Sequence, residues 1–385
     1  MVGIMESLRI LQVTPFFGSK SYGGTERYVS HLSEELVKRG HHLDIFTTKK
    51  STEIPYQTYY ENMTIHRFYS PWNVFGINPA CFMLHKMLQL DDVDIFHVHS
   101  YIYFTTIQAA ITKLIKRTPM LLHVHGGVGR PPYKTGFLKE FAKLFFDYTL
   151  GRFVISQADS IASVSDYDAS LLKETVHSNP ERITIVNNAI DPALFKEIDP
   201  VYSKECIITF VGDLEPWKGL PYYTRVVKRV LKRTNKVVFW FVGYGSLYDS
   251  LKEKFENEKR VKIYGAVEHS QVPDILAKSN ILIQPSFWEG SPTTIIEAMA
   301  MGLPVIGSEI GDIPRLLGYG ESGLLFKVGD EKNLEELILQ AVENYDSLVK
   351  KAKNARPKIR KEFSFAEVTD KIEKLYFNLL SSKNE

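Results

Sequence analysis

The chain has 385 residues, 44% of them hydrophobic, which is enough for two domains with sizeable cores. Its formal net charge of +2 gives no general attraction to nucleic acid, no apolar run reaches the ~18 residues of a membrane-spanning helix, and Met1–Leu8 lacks the basic-then-apolar order of a secretory signal. The two cysteines, Cys81 and Cys206, stand far apart and outside any metal or redox motif, so a reducing, cytoplasmic setting is expected.

Short apolar runs alternate with amphipathic segments, which predicts α/β layering on parallel sheets. Leu8–Thr14 reads as the first strand, which leaves Met5 as an alternative start. Gly23 and Gly24 open a helix with Tyr28, Leu32 and Leu36 on one face, and Gly40 stands where a C′ glycine belongs. Leu43–Thr47, Asp94–His99, Met120–His125, Ser160–Val164 and Ile183–Val186 read as further strands, with an apolar helix from Thr105 to about Ile115. The polar stretch Phe195–Glu205, which contains Pro200, is a candidate linker. A second series follows, with strands at Ile207–Val211, Val237–Val242, Val261–Tyr264, Ile281–Gln284 and Pro304–Ile306. Phe365–Leu380 closes the chain as an amphipathic helix.

The richest stretch is Phe287-Trp-Glu-Gly-Ser-Pro-Thr-Thr-Ile-Ile-Glu297. Gly290 permits a tight turn, Ser291 suits an N-cap, and Pro292 suits the first helical position, where its missing N–H costs nothing. The N–H groups of Thr293 and Thr294 are then expected to point out of a helix start, which carries about half a positive charge and binds phosphate readily. Glu289 lies outside the helix mouth and Glu297 about two turns inside it. Two carboxylates that accept hydroxyl hydrogen bonds thus flank an anion site. A sugar nucleotide has that layout, with sugar, pyrophosphate and ribose in order.

This stretch, continuing through Gly302-Leu-Pro-Val-Ile306 and Gly311-Asp-Ile-Pro-Arg315, resembles the E-x7-E signature of the retaining glycosyltransferases of family 4. The resemblance implies an α/β GT-B fold, with two Rossmann-like domains whose parallel sheets face a central cleft. Residues 1–196 would form the acceptor-side domain together with a crossover helix at 362–385, and residues 206–361 the nucleotide-sugar domain. Glu289 would meet the donor sugar and Glu297 the ribose hydroxyls. Gly23-Gly24-Thr25-Glu26 resembles the family's G-G-x-E donor-phosphate loop, although a plain strand-to-helix loop explains it equally well. Phe241-Val-Gly-Tyr-Gly, with Gly243, is similar to the family's G-x-G loop near the nucleotide; it lacks the third glycine of a dinucleotide fingerprint. Ile185-Val-Asn-Asn-Ala-Ile-Asp191 resembles the P-N-G-x-D linker motif, with Asn187 and Ala189 replacing Pro and Gly.

Gly212-Asp-Leu-Glu-Pro-Trp-Lys-Gly219 resembles the G-R-L-x3-K-G loop, which puts Lys218 on the leaving diphosphate. Asp213 stands where the family has Arg, removing a cation and adding an anion; Arg27 and Arg130 are candidates to compensate. His97-x-His99 and His123-x-His125 place pairs of imidazoles on single strand faces. A zinc site and a set of strand-end histidines are both compatible with them, and the expectation is no metal. By the resemblance His125, followed by Gly126-Gly127, reaches the donor sugar. Catalytic roles therefore fall on His125, Lys218 and Glu289, and donor contacts on Gly23, Gly24, Gly243, Gly290, Ser291, Thr293, Thr294 and Glu297.

The implied reaction moves a sugar, with retention, from a UDP- or GDP-linked donor to a hydroxyl of a glycan, phosphorylated or lipid-linked acceptor, without a cofactor. A sugar-nucleotide epimerase and an inactive sugar-nucleotide-binding protein are the alternatives. Between Thr112 and Arg152, eight basic residues (Lys113, Lys116, Arg117, Arg130, Lys134, Lys139, Lys143, Arg152) oppose Glu140 and Asp147, and aromatic residues interleave at helical spacing. The segment fits a packed helix with a solvated basic face, or peripheral contact with the anionic cytoplasmic face of a membrane.

Overall fold

The computed structural model of the chain describes residues 7–18, 23–49, 51–74, 78–129, 136–199 and 205–382. They form two compact units, Met1–Asn188 with Phe365–Glu385, and Ala189–Ser364.

The strands of the first unit are β1 (Arg9–Val13), β2 (His42–Lys49), β3 (Gln57–Tyr60), β4 (Met63–Tyr69), β5 (Trp72–Val74), β6 (Asn78–Ala80), β7 (Ile95–His99), β8 (Met120–Val124), β9 (Ser160–Ser163) and β10 (Ile183–Ile185). Eight make one sheet in the order β10-β9-β8-β7-β1-β2-β4-β3, while β5 and β6 pair as a separate hairpin. All pairs in the large sheet are parallel except β3 with β4. The helix Gly24–Lys38 ends as its sequence requires: Gly40 adopts φ +94° and its N–H donates to Val37, while His41 N–H reaches back to Leu36.

The two faces of this sheet differ in chemistry. Side chains alternate along a strand, so Leu11, Val13, Phe96, Val98, Leu122 and Val124 share one face and join an apolar core with the helices Phe104–Lys116 and Arg152–Gln157. Gln12, His97, His99 and His123 share the other. The helix Gly24–Lys38 and the C-terminal helix Phe365–Ser381 meet that face, with Ser33 Oγ 2.5 Å from Gln12 Oε1 and Tyr376 Oη 2.6 Å from His97 Nδ1.

The second unit contains β11 (Cys206–Val211), β12 (Val237–Val242), β13 (Val261–Gly265), β14 (Ile281–Gln284), β15 (Val305–Ser308) and β16 (Leu324–Phe326), all parallel, in the order β13-β12-β11-β14-β15-β16. Apolar cores cover both faces, as a parallel sheet requires. Strand order reverses between β11 and β14, and in doubly wound sheets the crevice at that switch point, beyond the carboxyl ends of the strands, is where ligands bind.

The expected linker is a packed part of the second unit for as far as it is described. Phe195 is buried there, Ile190 N–H donates to Phe363 O at 2.8 Å, and Arg360 holds Phe195 O at 2.7 Å. The unit therefore starts at Ala189 rather than 206; polarity around Pro200 hid the apolar anchors Ile190 and Phe195.

Candidate active site

The loops after β11 and β14 flank the switch point of the second unit, and they bring Lys218 and Glu289 together. Lys218 Nζ lies 2.7 Å from Glu289 Oε1. The same oxygen accepts from Gln284 Nε2 at 2.8 Å and Ser286 Oγ at 2.7 Å. All three donors converge on Oε1, which leaves Oε2 without a donor among the described residues. Both side chains are largely buried, so the pair is a fixed fixture and not a surface ion pair. Gly219 makes the approach possible: it has φ +74°, and a Cβ there would stand 1.7 Å from Pro285 O. Gly243 ends β12 under a similar constraint, with an added Cβ 1.9 Å from Gly212 O and its N–H given to Gly265 O at 2.9 Å.

The helix after Glu289 runs Thr293–Met301, with Pro292 as its N-cap residue. This corrects the expectation that Ser291 caps it with Pro292 inside. Ser291 is buried and its hydroxyl donates to Asp312 Oδ2 at 3.0 Å, which takes the cap away from it. Asp312 in turn is gripped by Arg315 and gives its N–H to Gly290 O at 2.9 Å. Gly290 and Ser291 thus hold the turn, while the first N–H groups of the helix, on Thr293 and Thr294, precede any intrahelical acceptor.

Glu297 is 3% exposed. Its Oε1 lies 2.9 Å from His269 Nε2, and the His269 ring packs against Phe195. His269 was missed at the level of sequence, where no motif marks it. Gln284, Ser286 and Asp312 were missed as well, although Asp312 lies inside a quoted motif. Asp213 is exposed and its side chain has no hydrogen bond or ion pair among the described residues; Glu289, not Asp213, positions Lys218.

In the first unit, Gly23 and Gly24 stand at the start of the helix Gly24–Lys38, with Gly23 extended as its N-cap. His125 follows β8, partly buried, its ring edge-on to Tyr28 and its Nε2 3.2 Å from His99 Nδ1. Burial pushes the His125 imidazole down to about 3 against a hydrogen bond with Asn188 that raises it, so it is neutral at ordinary pH. Burial and neighbouring histidines likewise hold His97, His99 and His123 well below the usual range.

The basic segment is less basic at its surface than its composition. Lys143 turns inward to Asp147, which is 0% exposed, and to Tyr101 Oη at 2.8 Å. Lys113 pairs with Asp159 and Lys116 with Asp91. Arg130, Lys134 and the side chain of Lys139 lie outside the described residues. Phe141, Phe145 and Tyr148 are each more than half exposed. Among the described residues, no helix is long and apolar enough to cross a membrane.

The second unit thus carries a lysine–glutamate pair beside a helix start at the switch point of a parallel sheet. Residues 22–194 match the Glycosyltransferase Family 4 model and residues 193–361 the model for Glycosyl transferases group 1. The chain belongs to the family 4 glycosyltransferases. It is 23% identical to the phosphatidylinositol N-acetylglucosaminyltransferase gpi3 subunit of Schizosaccharomyces pombe, across 94% of this chain and 79% of that protein. It is 26% identical to the UDP-Gal:alpha-D-GlcNAc-diphosphoundecaprenol alpha-1,3-galactosyltransferase of Escherichia coli, across 78% of this chain and 79% of that one. Among solved structures, Anabaena HepE in complex with UDP-glucose superposes with a TM-score of 0.74 at 17% identity, covering 96% of this chain and all of that one (100%).

Proposed function

We propose that this chain transfers a sugar, with retention of anomeric configuration, from a nucleoside-diphosphate sugar to a hydroxyl of a glycan or lipid-linked acceptor. The observation that carries the reading is the convergence of Lys218, Gln284 and Ser286 on one oxygen of Glu289 at the switch point. It fixes a cation and a carboxylate edge beside the Thr293–Thr294 helix start. Lys218 and those N–H groups stabilise the charge that develops on the leaving diphosphate, which is electrostatic catalysis by preorganised groups. The open edge of Glu289 accepts from hydroxyls of the donor sugar, Glu297 with His269 accepts from the ribose, and neutral His125 acts at the sugar. In the retaining course the acceptor oxygen attacks on the face the diphosphate leaves, and a phosphate oxygen takes the acceptor proton; this scheme needs no cofactor.

The donor class is supported by the UDP-glucose held by HepE, and the acceptor class by the phosphatidylinositol and diphosphoundecaprenol in the names of the two relatives. A lipid-linked acceptor fits a cytoplasmic protein resting on a membrane face, and Phe141, Phe145 and Tyr148 supply an exposed aromatic surface for that contact. The test is incubation of labelled UDP- and GDP-sugars with extracted lipid and glycan acceptors. Label moving into an acceptor supports the reading; release of an epimerised nucleotide sugar, or no turnover with any donor, overturns it.

A further inference from the structure

The histidine face of the first unit holds a chemistry the transfer reaction does not use. β7 and β8 pair with His99 opposite His123, and β1 sets Gln12 beside His97. His97, His99 and His123 are each 0% exposed. One ring nitrogen from each lies within 4.8 Å of those of the other two. The three rings lie close together: His97 and His99 have centroids 4.1 Å apart with planes tilted by 37°, and His97 and His123 have centroids 5.6 Å apart with planes 9° apart.

The hydrogen bonding of these rings is incomplete in a specific way. Tyr376 Oη engages Nδ1 of His97, and His125 engages Nδ1 of His99. Nε2 of His97 and Nε2 of His99 are buried with no partner, and His123 has at most a backbone contact with Val186, which leaves one of its nitrogens open as well. Nearly all buried polar groups in native proteins are hydrogen-bonded, so an open nitrogen on each of three clustered rings points to a shared occupant. A sheet face filled only for packing would carry Val, Ile or Leu, as the opposite face of the same strands does.

We propose that His97, His99 and His123 form a three-histidine site for a first-row divalent metal ion, with zinc the reference ion and a water in the fourth position. Neutral imidazoles are the ligand form for zinc, nickel, copper and iron, and no thiolate or carboxylate in the set favours a different class. In the site the Nδ1–H groups of His97 and His99 donate to Tyr376 Oη and His125 Nε2, and the lone pairs on both Nε2 atoms face the ion. Tyr376 is then the outer partner that fixes a ligand's tautomer and ring orientation. Zinc–nitrogen bonds of about 2.0–2.1 Å put tetrahedral ligand atoms about 3.4 Å apart, so the rings close by roughly an ångström on binding. The ion ties β7 to β8 and, through Tyr376, to the C-terminal helix.

The experiment uses the full chain, purified without a histidine tag, stripped with chelator and then dialysed against zinc or cobalt(II). Metal is counted by mass spectrometry after gel filtration, and cobalt is followed by its visible d–d bands. The expected result is one ion per chain with a tetrahedral cobalt spectrum and a raised melting temperature. His97→Gln with His123→Gln abolishes it, Tyr376→Phe weakens binding about tenfold, and His42→Gln, on an exposed strand end, leaves it unchanged. If the double variant does not fold, the cobalt titrations of wild type and Tyr376→Phe decide. A wild-type protein that takes up no stoichiometric metal, or Tyr376→Phe binding cobalt with unaltered affinity and spectrum, overturns the proposal.

Discussion

Replacing Lys218 with Met separates structure from chemistry at the switch point. The Lys218–Glu289 contact is 2.7 Å, with side chains 17% and 10% exposed. Breaking one partner of a buried pair costs about 3–5 kcal/mol, but Glu289 retains Gln284 and Ser286 as donors, so about 2 kcal/mol is expected here. A unit the size of Ala189–Ser364 loses roughly 2–4 °C per kcal/mol, which predicts an apparent melting shift of about 4–8 °C. Losing a preorganised group that stabilises transition-state charge lowers kcat by about 10²–10³. The double variant Lys218→Met with Glu289→Gln removes the stranded carboxylate charge and recovers most of the stability. If Lys218 acts on the diphosphate, turnover does not recover with it. Calorimetric melting and single-turnover transfer measure the two quantities. A single variant with normal turnover, or a double variant that regains it, refutes the assignment and leaves the pair a purely structural one.

Glu297→Ala weakens the binding of free UDP or GDP by about 1.5–3 kcal/mol, the worth of hydrogen bonds to a charged acceptor; His269→Ala gives a smaller loss, and unchanged isothermal calorimetry for both removes Glu297 from the site. His125→Ala lowers turnover while nucleoside-diphosphate affinity stays at the wild-type value, and a fully active variant ends the role carried by the family resemblance. Phe141→Ser with Phe145→Ser reduces co-sedimentation with anionic vesicles at least about tenfold, since burying one Phe contributes about 1.5–3 kcal/mol; equal partition of variant and wild type points to a soluble acceptor. Lys143 is a poor probe of that contact, because Lys143→Glu strands the buried Asp147 carboxylate.

The strands of the second unit were legible because parallel strands covered on both faces are nearly continuous apolar runs. Val237–Val242 and Ile281–Gln284 have the same bounds in sequence and structure, and Ile207–Val211 gains only Cys206. β3 and β4 were not read because β3 has no buried residue, β4 buries its side chains without a two-residue period, and the Glu61–Asn62 turn carries no glycine. β16 has three residues, too few to leave a period. At the site, Glu289 and Lys218 were found through motifs, yet their contact spans 71 residues of chain and depends on which strands become neighbours. His269 reaches Glu297 in the same way, across 28 residues. The histidine pairs were visible, but their burial was not: it comes from Tyr28 and Tyr376, on helices far away in sequence.

Asp213 acquires a clearer meaning from the resting pair. With an aspartate in the family's arginine position, the loop after β11 offers one cation, and Glu289 already holds it. The resting pair is therefore close to neutral, and in the proposed reaction a diphosphate approaching it would compete with Glu289 Oε1 for the ammonium. Gln284 and Ser286 make that exchange feasible, because they continue to satisfy the oxygen Lys218 leaves. The helix start at Thr293 then carries a larger share of the phosphate charge than in a site with two cations, a share worth about 0.3–1 kcal/mol at an exposed position and up to ~2 kcal/mol when partly buried. In this reading binding is modest and charge stabilisation is concentrated in the transition state, when the leaving phosphate gains charge and draws Lys218 from its partner. That is the arrangement in which binding energy raises turnover rather than merely tightening the ground state.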